Sequence, residues 1–151
     1  MSAKQIVRKQ LDQRFSELRE IRDTPRPVSG WLRAIRDALN MSSPQLAKRL
    51  GVSKQRVSAL EKAEVDGSVT INSMRKAAEA LDCIFVYAVL PRDSLESTVK
   101  EQAYKIAVTQ QAYATHTMAL EDQVPMENER KEALEAAVAE LVRKSPKILW
   151  D

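Results

Sequence analysis

The stretch Ser42-Ser-Pro-Gln-Leu-Ala-Lys-Arg-Leu-Gly-Val-Ser-Lys-Gln-Arg-Val-Ser-Ala-Leu-Glu61 decides the fold of this chain. Its spacing predicts a short helix, a glycine-led turn and a second short helix. Leu46, Ala47, Leu50, Val52, Val57 and Leu60 are the apolar set, spaced so that two helices can share one small core. Ser42 or Ser43 is placed to cap the first helix, and Pro44 is tolerated in a first turn, where no amide hydrogen is needed. Gly51 falls where the first helix must stop and reverse, a position that favours positive φ. Ser53 is placed to cap the second helix.

With Val57 and Leu60 turned inward, the other face of the second helix carries Lys54, Gln55, Ser58 and Ala59. That is the layout of a helix that enters the DNA major groove. The candidate DNA-contacting set is Ser43 and Gln45 on the first helix, with Ser53, Lys54, Gln55, Arg56, Ser58, Ala59 and Lys62 on and around the second. Glutamine pairs bidentately with adenine, and lysine reaches guanine or phosphate. The competing reading is a plain helical hairpin inside a larger core. Caps, glycine and inward positions all agree within twenty residues, which favours the DNA-binding reading.

The stretch resembles the lambda-repressor-like (Xre-type) helix-turn-helix, over roughly Gly30 to Leu81. In that family an arginine of the first helix pairs with a glutamate ending the recognition helix, and Arg36 and Glu61 stand at those places. The segment Thr70-Ile-Asn-Ser-Met-Arg-Lys-Ala-Ala-Glu-Ala-Leu81 matches the following helix, with Ile71, Met74, Ala77, Ala78 and Leu81 as its buried stripe. One position departs: the family often has a phosphate-touching glutamine opening the second helix, and Ser43 occupies that place.

At 151 residues the chain is long enough for one or two small domains. No run approaches the roughly 18 apolar residues of a membrane span. The charged, polar N-terminus does not read as a signal peptide, so the expected location is the cytoplasm. The single cysteine, Cys83, excludes an internal disulfide and any cysteine-based zinc site of known spacing, and reads as a buried, inert thiol. One histidine (His116, read as a surface or cap residue), one cysteine and no glycine-rich phosphate loop leave nothing from which to build a catalytic site. No enzyme activity and no cofactor are expected.

The net charge of +3 hides an asymmetry. Residues 1–62 hold 14 Lys and Arg against 6 Asp and Glu, whereas residues 63–151 hold 10 against 15. Basic charge therefore gathers around the predicted helix-turn-helix, as phosphate binding requires.

The predicted class is mainly α: a helix-turn-helix core with an N-terminal helix, one short β-strand and C-terminal helices. Three regions are expected. Residues 1–27 hold an amphipathic helix, Ala3 to Arg22, with Ile6, Val7, Leu11, Phe15, Leu18 and Ile21 on one face, followed by the Pro25 and Pro27 linker. Residues 28–82 form the DNA-binding domain, opening with a Ser29-capped helix, Gly30 to Leu39, whose Trp31, Leu32, Ile35 and Leu39 point inward. Its recognition helix is followed by a loop, Ala63 to Val69. Residues 83–151 hold a dimerisation or partner-binding region. Within it Cys83 to Leu90 reads as a strand, a capping box of Asp93 with Glu96 opens a helix from Ser94 to about Glu121, and a last helix runs from Glu127 to Lys144. The tail is expected to dock through Trp150.

A lone buried strand leaves its amide and carbonyl groups unpaired. The predicted remedy is a second copy across a two-fold axis, which a palindromic operator also requires. A local partner, the Val65–Thr70 loop, is the other reading.

Beyond the motif, the chain resembles the mobile mystery protein A family. The residues that carry this are Val86-Tyr-Ala-Val-Leu-Pro91, Ser94-Leu-Glu96, Ala119-Leu-Glu-Asp-Gln123 and Leu149-Trp-Asp151. The resemblance implies a gene partner, mobile mystery protein B, with a Fic domain that transfers AMP, and hence an antitoxin-like role. Fic inhibitors carry Ser/Thr-x-x-x-Glu-Gly/Asn on a helix. Thr117 and Glu121 satisfy that pattern and Asp122 misses its last place. The expected function is a sequence-specific DNA-binding regulator, an autorepressor that binds an inverted-repeat operator as a dimer. The alternative is an antitoxin-like partner that restrains a Fic-domain enzyme.

Overall fold

The computed structural model describes residues 1–151 and is built of eight α-helices and a terminal 3-10 turn. The chain divides into two compact units, residues 22–89 and residues 1–21 with 90–151. No helix is long and apolar enough to cross a membrane.

The first unit holds α3 (Trp31–Ala38), α4 (Ser43–Leu50), α5 (Lys54–Asp66) and α6 (Ile71–Ala80). Its core is Leu32, Leu46, Ala47, Val57, Met74, Ala77 and Leu81, one or two side chains from each helix, with Ile35, Leu50 and Leu60 packed at the margin. Local chemistry explains the helix ends. Ser42 Oγ accepts the Gln45 amide at 3.3 Å while Gln45 Oε1 accepts the Ser42 amide at 2.8 Å, a reciprocal capping box. Gly51 ends α4 in the left-handed region at φ 67°. Ser53 Oγ accepts the Arg56 amide and starts α5. Thr70 caps α6 in the same way.

Several expectations change here. The expected loop from Ala63 begins only at Gly67, because α5 continues to Asp66 before Gly67 caps it at φ 79°. Ser29 does not cap α3: its N-cap is Gly30, and the cap comes from a distant residue described below. Trp31, Leu39, Val52 and Ile71 are exposed rather than inward. Cys83 is half-buried at the edge of the core, its thiol donating to the Leu81 carbonyl.

The strand expected over Cys83–Leu90 is not formed; no residue of this segment lies in a strand. A strand exists through its ladder, and no other segment of this chain supplies one. The Val65–Thr70 alternative fails because its first two residues are the end of α5 and none of the rest lies in a strand. Phe85 packs against the core and stacks on Tyr87 with ring centroids 6.0 Å apart. Ile84 (89% exposed), Val86 and Val89 (86%) face solvent.

The second unit holds α1 (Ala3–Glu17), α7 (Leu95–Leu120), α8 (Glu127–Lys144) and the 3-10 turn Lys147–Trp150; the short α2 (Arg19–Asp23) spans the boundary of the two units. The helix expected from Ala3 to Arg22 is thus two, broken at Leu18, whose amide bonds back only three residues to Phe15. Its stripe is only partly used: Ile6, Val7, Leu11 and Ile21 are exposed.

Polar contacts hold α1 in place. Asp12 accepts the amides of Leu95 and Glu96 at 2.7 and 3.1 Å and so caps α7, and Arg8 pairs with Glu96 at 2.8 Å. The expected Asp93–Glu96 capping box is replaced by Ser94 with Ser97. α7 and α8 form an antiparallel hairpin around Val99, Ala103, Val142 and Leu149. Leu149, not Trp150, is the docked residue of the tail; Trp150 is 60% exposed.

Candidate nucleic-acid interface

α4, the Gly51 turn and α5 form the helix-turn-helix. Val57 is fully buried on the inner face of α5, which fixes the rotation of that helix about its axis. Lys54, Gln55, Arg56, Ser58, Ala59 and Lys62 are consequently exposed together. Ser53 spends its hydroxyl on the Arg56 amide, so its role is to start the helix. Gln45 is exposed but its side-chain oxygen is held by the Ser42 amide, leaving its amino group to donate outward. Ser43 is half-buried at the first turn of α4.

Arg36 and Glu61 join α3 to the middle of α5. Arg36 Nε meets Glu61 Oε1 at 2.6 Å and Nη2 meets Oε2 at 3.3 Å, a two-point contact with both residues buried. Arg36 Nη1 also donates to the Met41 carbonyl at 2.9 Å, which ties the α3–α4 turn to the same centre. The hydrogen bond to Glu61, supported by the charges of Glu61 and Asp37 and opposed by burial, holds the guanidinium above its ordinary pKa.

Over this pair lies a polar cavity of about 470 Å³, lined by Ser29, Arg33, Ser43, Ser58 and Lys62. The Glu61 carboxylate, which also lines the cavity, is engaged by Arg36; the hydroxyls of Ser29, Ser43 and Ser58 with Lys62, beside the exposed side of α5, suit a backbone phosphate. Arg33 was missed in the sequence reading; the signal available was its place one turn before Arg36.

Glu64 was also missed. Its buried carboxylate accepts the Trp31 amide at 2.7 Å and the Leu32 amide at 3.0 Å, capping α3 from 32 residues away. Arg26 reaches the Glu64 and Val65 carbonyls at the same, C-terminal end of α5. No local pattern announces a cap made across the fold. Arg49 donates to the Ala80 carbonyl at the end of α6, which commits it to structure.

The two Fic-pattern residues lie elsewhere, at the end of α7. Thr117 donates its hydroxyl to the Tyr113 carbonyl, and Glu121 is the C-cap, just past the last helical residue. Both are exposed, as is His116.

Residues 32–84 match the helix-turn-helix family. This stretch, Leu32 to Ile84, is a helix-turn-helix domain of the lambda-repressor-like type, and it supports DNA binding and a regulatory role. No curated protein and no solved structure matches the chain.

Proposed function

We propose that the protein is a sequence-specific transcriptional regulator that binds an inverted-repeat operator as a dimer and represses its own operon. The observation that carries this reading is the exposed set on α5, Lys54, Gln55, Ser58 and Ala59, held at a fixed rotation by Val57 beneath and by Arg36 on Glu61. A helix so anchored presents its first turns to base edges while its flanks, Arg56 and Lys62, reach phosphates. Glutamine at position 55 favours adenine, and Lys54 suits guanine or phosphate. Ala59 is small enough to let the backbone approach a thymine methyl.

Repression follows from position: a protein seated across its own promoter excludes polymerase. Palindromic half-sites require a two-fold axis in the protein. A footprint of the purified protein on its own promoter region tests the reading. Protection of a discrete symmetric site is expected. Uniform weak protection along the fragment would reduce the domain to non-specific phosphate binding.

A further inference from the structure

The hairpin of α7 and α8 is unfinished as a folded body. α7 is about 39 Å long at 1.5 Å per residue. Its buried side chains are Val99, Ala103 and Ala107, all in its first half, and α8 buries only Val142. The outer half nevertheless carries Val108, Tyr113, Met118, Leu120, Val124 and Met126, all exposed.

Between the two helices runs an open groove. Its inner stretch, about 970 Å³, has Tyr104, Leu134, Val138 and Val142 among its lining residues. A second cavity toward the outer end, about 470 Å³, shares Leu134 with the first and is lined in part by small side chains, Ala107, Ala114, Ala133 and Ala137 among them. Small residues let another helix approach closely. Arg130 borders this second cavity, and its Nε is buried with no hydrogen-bond acceptor, a costly state that an incoming carboxylate would relieve.

Charge identifies what covers the groove. Residues 108–135 carry two basic and six acidic side chains, whereas residues 95–107 with 136–147 carry five basic and three acidic. The hairpin is thus acidic at its tip and basic at its base. Two copies laid side by side in opposite directions set each tip against the other's base, and that arrangement is a two-fold axis.

We propose that the α7–α8 groove is the self-association surface of this protein, occupied by the hairpin of a second copy in an antiparallel four-helix bundle. The exposed Ile84–Val89 segment is the rival surface. A two-stranded ladder alone is marginal in water, which makes it the weaker of the two. The bundle supplies the axis that the operator reading needs, but it does not depend on DNA binding.

The test is sedimentation equilibrium of the full chain at tens of micromolar, with two charge-reversed variants. One is Lys100→Glu with Lys105→Glu at the base; the other is Glu121→Lys with Asp122→Lys at the tip. All four residues are exposed. The wild type is expected to be a dimer, each variant alone to dissociate at least tenfold more readily, and their equimolar mixture to recover a dimer. Far-ultraviolet circular dichroism and binding to a single half-site are expected to match wild type in both variants, which separates loss of pairing from loss of fold or of DNA reading. A monomeric wild type, variants that dimerise like wild type, or a mixture that fails to recover would overturn the proposal. So would a dimer lost in Val86→Pro but kept in both charge variants, since that places the pairing in the Ile84–Val89 segment.

Discussion

Gly30 and Glu64 fit against one another: a Cβ added to Gly30 would lie 2.8 Å from Glu64 Oε2, and Gly30 itself holds φ 81°. The close approach exists because the Glu64 carboxylate sits on the Trp31 and Leu32 amides. Gly30→Ala therefore combines the strain of a positive φ with an extended ψ, a conformation open essentially to glycine alone and costing about 1–3 kcal/mol, with a steric clash. Glu64→Ala removes charge-assisted hydrogen bonds worth roughly 1.5–3 kcal/mol each when paired to a charged group. Because the second substitution relieves the clash made by the first, the double variant should lose less than the sum of the two. Urea denaturation of the four proteins measures this, and strict additivity would mean the two residues do not touch.

The Arg36–Glu61 pair leads to a second expectation. Breaking a buried pair strands one charge, at a cost of about 3–5 kcal/mol. Glu61→Gln should lower the midpoint of thermal unfolding accordingly and weaken DNA binding through the loosened rotation of α5. An unchanged melting temperature would show that the pair contributes nothing.

The electrostatic share of DNA binding can be read from salt. Lys48, Arg56 and Lys62 are exposed, and none forms an ion pair within the protein. Each phosphate they neutralise should add about −0.9 to the slope of log affinity against log salt. Lys62→Ala should make that slope shallower by roughly one. Arg49→Ala should leave the slope alone and cost stability instead, because Arg49 is bound to the Ala80 carbonyl.

Near the end of α8, Glu140 lies beside Arg143 and Lys144, at 2.8 and 2.7 Å. Hydrogen bonds from Arg143 first and Lys144 second, joined by their charges, lower its pKa from 4.5 to about 2. A depressed carboxylate stabilises the fold above its unfolded value, and that contribution is lost as pH falls from about 4.5 through about 2. The site lies at the solvent surface, so the effect on global stability is slight. It is best followed at the residue by carboxyl resonances, where Arg143→Ala should move the Glu140 titration back up.

What was legible in the sequence was local. Gly51 and Ser53 act within a few residues of themselves, so the turn and the cap are where the spacing placed them; of the two serines offered for the first cap Ser42 serves, and α8 begins and ends at Glu127 and Lys144 as expected. What was not legible depends on contacts across the fold. Glu64 displaced Ser29 as the cap of α3, and Asp12 joined Ser94 and Ser97 at the start of α7, although neither carboxylate is near its target in sequence. The segment Cys83–Leu90 shows the limit of composition: β-branched and aromatic residues favour a strand only where a neighbour provides the ladder. The docking of Leu149 in place of Trp150 turned on the direction of the final 3-10 turn, which size and hydrophobicity do not specify. Of the candidate site, the exposed face of α5 was readable because its period follows from Val57 and Leu60. Arg33 was not, since its relevance arises from the cavity it shares with Ser58 and Lys62.

The central claim is that α5 reads base sequence. Selection of binding sites from random duplexes, followed by sequencing, tests it most directly, with wild type and Gln55→Ala run side by side at one salt concentration. The wild type should enrich an inverted repeat whose half-site centres lie about one helical turn, or roughly 34 Å, apart. Gln55→Ala should keep that spacing, lose preference at one base pair per half-site, and weaken by about 1–3 kcal/mol. Recovery of no enriched sequence by the wild type, with binding that only follows salt, would contradict the account.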